Sequence, residues 1–284
     1  MSPLLCALLV ACDNAPPQPT PQTEETTTPT IVVTDPQLAC LIEPALPATV
    51  TLTTIAPDDP EAHATRWSPD RAQARTLRNA DLVVTAGAGT DAWLAIIGLR
   101  DDRVLRLAGA DTDPLIPIAT ETHSHGPGGE HSHTVYAPRP WHAPDLAQRM
   151  TESIGARLRA DGLVDSVAYD DSEVRSRLAT IDAIMPGSTD NLLVVTTSDA
   201  WRYAAQRVGA GVLVVDDDAE PATVRVEISS TTARRVILIG DVDAQGVRGI
   251  LRGSGINVID IPTGDDACSW LDTLETFARA VTAP

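Results

Sequence analysis

The chain has 284 residues and a formal net charge of −18, with 21 basic residues, all of them arginine, against 39 acidic ones. So acidic a chain has no general attraction for phosphate backbones or anionic lipid, which argues against nucleic-acid binding and against a polybasic membrane patch. A composition that is 43% hydrophobic and 21% charged is that of a globular protein, and the length is enough for two lobes. Cations are the partners such a surface favours.

Residues 1–12 form an apolar run that ends in Leu9-Val10-Ala11-Cys12. It is too short to cross a membrane and lacks a basic leader. Small residues before a cysteine resemble the lipobox of bacterial lipoproteins, which implies lipidation at Cys12 and export; an ordinary secretory segment is the alternative. Residues 13–30 are rich in Pro, Thr and Gln, cannot bury a core, and read as an extended tether. Loss of Cys6 with the leader and lipidation of Cys12 would leave Cys40 and Cys268, an even pair in an oxidising compartment. They are either bridged or two buried thiols.

Strand and helix signals alternate through residues 31–143. Thr30–Thr34, Val50–Thr54, Asp81–Thr85 and Val104–Leu107 read as strands, and Asp70–Asn79 as a helix. After Gly87-Ala88-Gly89, Thr90 or Asp91 is placed to cap a helix holding Trp93, Leu94 and Ile97. Residues 144–187 are helical throughout, with Pro144 at a first helical position and a break near Asp161-Gly162. The alternation resumes over 188–284, with strands at Leu192–Val195, Gly211–Val215, Val236–Ile239 and Val258–Asp260. Helices are expected at Asp199–Val208 and Ser269–Val281. Buried, non-alternating strands in this order predict parallel sheets. The expected fold is therefore α/β: two lobes joined by a helical segment, with a ligand cleft between them at the strand C-termini.

All six histidines fall between positions 63 and 142, and His123, His125, His131 and His133 lie in one Gly-Pro stretch beside Glu121 and Glu130. Imidazole and carboxylate are ligands for Zn²⁺, Cu²⁺ and Ni²⁺. Residues 121–134 are therefore read as a flexible, modest-affinity metal loop; a solvated polar insertion is the alternative.

The whole pattern over most of residues 31–284 resembles the zinc and manganese solute-binding proteins of ABC importers. Pro57-Asp-Asp-Pro60-Glu-Ala-His63 is similar to the segment that carries that family's first ligand. Ala80-Asp81-Leu82-Val83 and Gly87 to Leu94 match its strand, turn and Trp-Leu pair. The resemblance implies a monomeric, extracytoplasmic, lipid-anchored receptor that hands Zn²⁺, or Mn²⁺, to an importer permease. It implies no enzyme. The sequence agrees, having no Gly-x-Ser-x-Gly motif and no histidine after His142. The alternative is a non-transport surface lipoprotein that buffers metal on its loop or binds a partner.

The ligand set departs from the family. Arg139 stands at the second ligand position and Ser198 at the third, while Asp260 matches the carboxylate. Arginine is a permanent cation and never a ligand. At about 5 Å and an effective dielectric of about 20, its repulsion of Zn²⁺ is of order 6 kcal/mol before screening. Two arrangements follow. Either Arg139 turns away and His142 moves in, giving a site of His63, His142 and Asp260, or Arg139 pairs with Asp260 where the metal would sit.

Overall fold

The structure, a computed structural model, describes residues 28–57, 67–87, 89–109, 114–124, 130–165, 167–264 and 266–283; for 121–124 and 130–133 it describes the backbone. The N-terminal sheet is wholly parallel in the order β2-β1-β3-β4, with β1 Thr30–Val33, β2 Thr51–Thr54, β3 Leu82–Gly87 and β4 Val104–Ala108. Its two central strands are continuous β-branched and leucine runs, Ile31-Val32-Val33 and Leu82-Val83-Val84, with no exposed surface. Such runs cannot alternate faces, so helices cover both sides. Helix α1 (Pro36–Ile42) starts where Asp35 caps it, accepting from the Gln37 N–H at 2.7 Å, with Pro36 in the first turn. Helix α2 (Arg71–Asn79) opens on a reciprocal capping box between Asp70 and Gln73. The expected helix around Trp93 is a 3-10 segment, Ala92–Ile97.

Two antiparallel strands follow, β5 (Pro117–Ser124) and β6 (Glu130–Tyr136). This corrects the expectation of a flexible loop. The threonines and Val135 supply strand propensity that the Gly-Pro composition obscures. Helices α3 (Pro144–Ala160) and α4 (Ser172–Ile184) form the connecting segment, broken after Asp161. Leu146, Met150, Ile154 and Leu158 are buried on one face of α3, at the spacing an amphipathic helix requires.

The second lobe repeats the first: β7 (Leu192–Thr196), α5 (Trp201–Arg207), β8 (Gly211–Val214), α6 (Pro221–Ser229), β9 (Arg235–Ile239), α7 (Ala244–Leu251), β10 (Asn257–Ile261) and α8 (Ser269–Thr282). Its parallel sheet runs β10-β9-β7-β8. In each sheet the strand order reverses at the centre, between β1 and β3 and between β7 and β9.

One apolar core runs through both lobes, from Ile31 and Val33 through Trp141 and Ile154 to Trp201 and Phe277. A continuous apolar interface holds two lobes as one body. Cys40 on α1 and Cys268 at the cap of α8 are joined by a disulfide, their Cα atoms 5.4 Å apart, which decides between the two cysteine states open in the sequence. Among the described residues no helix is long and apolar enough to cross a membrane.

Candidate functional site: a cavity between the lobes

A cavity of about 220 Å³ lies between the lobes. Gln37, Arg139 and His142 line one side; Ser198 after β7, Asp241 after β9 and Trp270 on α8 line the other. This is where open α/β sheets bind ligands, outside strand C-termini at the reversal of strand order.

His142 ends a 3-10 turn, Pro140–His142, and is buried, 2% exposed. The Gln37 side-chain oxygen meets both Trp141 Nε1, at 3.0 Å, and His142 Nε2, at 2.9 Å. An indole N–H can only donate, so the shared Gln37 atom is the carbonyl oxygen and can only accept. His142 therefore carries its proton on Nε2, and Nδ1 presents a bare lone pair. That Nδ1 is buried and has no hydrogen-bond partner. Trp201 meets the ring edge-on at 4.6 Å, and Trp270 lies parallel to it at 5.4 Å. Burial, and secondarily the Arg139 charge, hold the imidazole well below its ordinary pKa, so it is neutral at physiological pH. The Trp270 Nε1 is also buried without a partner.

Arg139 has a left-handed backbone, φ 56°, uncommon for a residue with a Cβ. The turn directs its Nε to Asp35 Oδ2 at 3.0 Å, in a pair whose side chains are 13% and 9% exposed. The two arrangements drawn from sequence are thus partly resolved. Arg139 does not pair with Asp260; its partner is the capping carboxylate of α1. Asp260 instead lies 3.7 Å from Arg248 on α7, and the carboxylates in the cavity wall are Asp241 and Asp266. Ser198 Oγ accepts from the Ala200 N–H at 3.2 Å, an ordinary turn contact. His63, His125 and Cys12 lie outside the described residues. Among the described residues no group of three or more His, Cys, Asp and Glu gathers at one point.

Sequence reasoning missed Gln37, Trp270, Asp35 and Asp241. Only Asp241 carried a signal, a Gly-Asp pair directly after a buried parallel strand at the sheet's reversal point.

The β5–β6 ribbon leads into this site. Its base is held to the second lobe, because Tyr203 Oη on α5 donates to the Ala137 carbonyl at 3.0 Å. The register pairs His123 with His131 and Glu121 with His133. Directly paired positions, and positions two apart on a strand, share one face, so these four share a face of the ribbon.

Comparison with curated protein sequences gives no match. Among solved structures, the Zn(II)-bound ZnuA-like domain of Streptococcus pneumoniae AdcA aligns with TM-score 0.64 and 15% identity, over 90% of this chain and 100% of that one. A ZnuA crystal structure aligns with TM-score 0.61 and 15% identity, over 90% and 98%. FpvC from Pseudomonas aeruginosa, in complex with Mn²⁺, aligns with TM-score 0.59 and 16% identity, over 90% and 99%. At such identities the likeness shows the fold. The family model described as "Zinc-uptake complex component A periplasmic" matches residues 31–253, most of the chain. The chain belongs to this periplasmic zinc-uptake family, ZnuA, whose members are non-enzymatic solute-binding proteins.

Proposed function

We propose that this protein is an exported lipoprotein, anchored through Cys12, that captures a divalent metal ion, Zn²⁺ or Mn²⁺, and passes it to the permease of an ABC importer. One observation carries the metal reading. His142, which lines the inter-lobe cavity, is neutral, its Nε2–H is fixed on the Gln37 carbonyl, and its buried Nδ1 lone pair is unused. Metal-binding histidines are oriented in this way, through the ring nitrogen that does not bind the metal. The neighbours solved with Zn²⁺ and Mn²⁺ support the choice of cation. His63, from the family resemblance, is assigned as a second ligand. Of the two carboxylates that line the cavity, Asp241 and Asp266, we assign Asp241, which follows β9 directly, the place that the resemblance gives to Asp260. The ribbon positions His123, His131 and His133, with His125, are assigned to a separate accessory site of lower affinity. The protein is read as a monomer.

A second reading, a surface lipoprotein that buffers metal on the ribbon alone, is favoured by the strand pairing that sets His123 opposite His131 and Glu121 opposite His133 in register. Calorimetric titration with Zn²⁺ of the full chain carrying His123→Ala, His125→Ala, His131→Ala and His133→Ala separates the two. The receptor reading expects one remaining site, tighter than millimolar, that His142→Ala removes. Loss of all binding with the four ribbon substitutions selects the buffer instead.

A further inference from the structure

The net charge of −18 hides one basic face. Helix α2 carries Arg71, Arg75 and Arg78 and no acidic residue. Positions i, i+4 and i+7 fall on one side of a helix, and all three residues are exposed. The other side is apolar: Leu77 is buried, and Ala74 packs beside it in the cluster of Val32, Val83 and Trp93. Several arginines elsewhere are matched with carboxylates, as Arg157 with Asp161, Arg177 with Asp272 and Arg207 with Asp182. Among the described residues Arg71, Arg75 and Arg78 have no ion-pair partner. The carboxylates at the two ends of the helix are engaged with backbone. Asp70 accepts from the Ala72 and Gln73 N–H groups, and Asp81 from the Thr30 N–H. Arg103 adds a further cation beside Asp81, where its guanidinium donates to the Ala80 carbonyl.

Two features select the partner. Strand β1 begins at Thr30, which Asp81 holds just beyond Arg78, so the N-terminal segment joins the lobe at the Arg78 end of the stripe. An anchor on that segment brings this end of the lobe to a membrane. Helix α2 also lies on the Val32-Val83 face of the sheet, whereas the core shared with the second lobe lies on the Ile31-Val33 face. The stripe is therefore on the side of the sheet away from that shared core. At physiological ionic strength charges act over about 8 Å, so a surface against α2 senses this stripe more than the net charge of the chain. Guanidinium groups suit phosphate, which they bind through paired N–H donors.

We propose that the α2 face docks on the anionic phosphate headgroups of the membrane that holds the lipid anchor. This goes beyond metal capture and rests on the anchored reading for the choice of a membrane as partner. One acyl chain binds a membrane only marginally, and a basic patch is a second signal that makes anchoring stable.

The test uses the full chain carrying Cys6→Ser, with a single acyl chain attached through a maleimide to Cys12; Cys40 and Cys268 are bridged and do not react. Partition is measured by co-sedimentation with vesicles of phosphatidylcholine, alone or in equal mixture with phosphatidylglycerol. The expected result is at least about tenfold tighter partition onto the anionic vesicles, lost in high salt. Arg71→Gln, Arg75→Gln and Arg78→Gln together should erase that preference and leave partition onto neutral vesicles unchanged. Glutamine is a comparable helix former at exposed positions, so α2 is retained. Equal partition onto the two vesicle types, or an anionic preference that survives the three substitutions, overturns the proposal. Binding to immobilised polyglutamate that needs the three arginines, without a preference for anionic vesicles, also overturns it and assigns the stripe to an acidic protein. The acyl chain is attached chemically, so these outcomes do not depend on lipidation in the cell. Absence of lipid on Cys12 of the exported protein, read by mass spectrometry, overturns the anchored reading separately.

Discussion

Asp35 does two jobs with one carboxylate: it caps α1 through the Gln37 N–H and neutralises Arg139. Asp35→Ala removes both contacts and leaves a guanidinium that is 13% exposed without this partner. Removing one partner of a buried ion pair is destabilising, and loss of the cap adds about 1 kcal/mol. Asp35→Asn retains the cap, so urea denaturation should show a smaller loss than for Asp35→Ala, and the difference reports the cap. His142 gives a pH signature. Its folded pKa lies below the ordinary 6.5, so between the two values the unfolded chain binds more protons. Its contribution is complete above 6.5 and declines as pH falls through the folded value. In chelator-treated protein, melting temperature should fall more steeply with acid in wild type than in His142→Gln; parallel curves would refute the assignment. The sequence marks Arg139 and His142 as residues out of place, and their neighbourhood is legible. What fixes them is not, because Asp35 and Gln37 are more than a hundred positions away and meet them only through the fold.

Among the elements, the paired ribbon is the one whose chemistry depends most on register. His123 pairs with His131, and Glu121 with His133, only in the observed register. A shift of one residue would move every such position to the other face. Zinc titration of the His142→Ala chain should therefore leave one ribbon site, which His123→Ala or His131→Ala weakens while the melting temperature of metal-free protein stays within about 0.5 kcal/mol equivalent. The opposite behaviour is expected of Gly87, at the end of β3. It has φ 76°, and a Cβ there would stand 2.1 Å from the Ala108 carbonyl oxygen on β4. Gly87→Ala should cost at least about 2 kcal/mol in denaturant unfolding. The buried strands were legible because runs such as Ile31-Val32-Val33 have one interpretation. Helix α6 was not: Val224, Val226 and Ile228 read locally as strand, and packing against its own lobe overrides that preference.

For the whole molecule, the alternation of strands and helices and the two-lobe parallel architecture were readable from sequence, whereas the single core that joins the lobes was not. Periodicity shows which face of a helix is buried and is silent on which neighbour buries it. The Cys40–Cys268 bond closes a loop with a sequence separation of 228. Loop-closure entropy for that length gives about 5 kcal/mol of stabilisation through the unfolded state. Cys40→Ser with Cys268→Ser, or reduction of the wild type, should lower the melting temperature by roughly 10–20 °C. A change below a few degrees would mean that the core carries the lobes unaided.

The same bond has a mechanical meaning. Two bodies joined only along one edge can swing apart like a book. Here α1, which carries Gln37, is also tied to the cap of α8, which carries Trp270, and so the two sides of the cavity share a fixed point close to its wall. With that point and the α3–α4 connection both holding, any opening of the cavity must leave α1 and the cap of α8 together, so the gap can widen only on the side away from the bond.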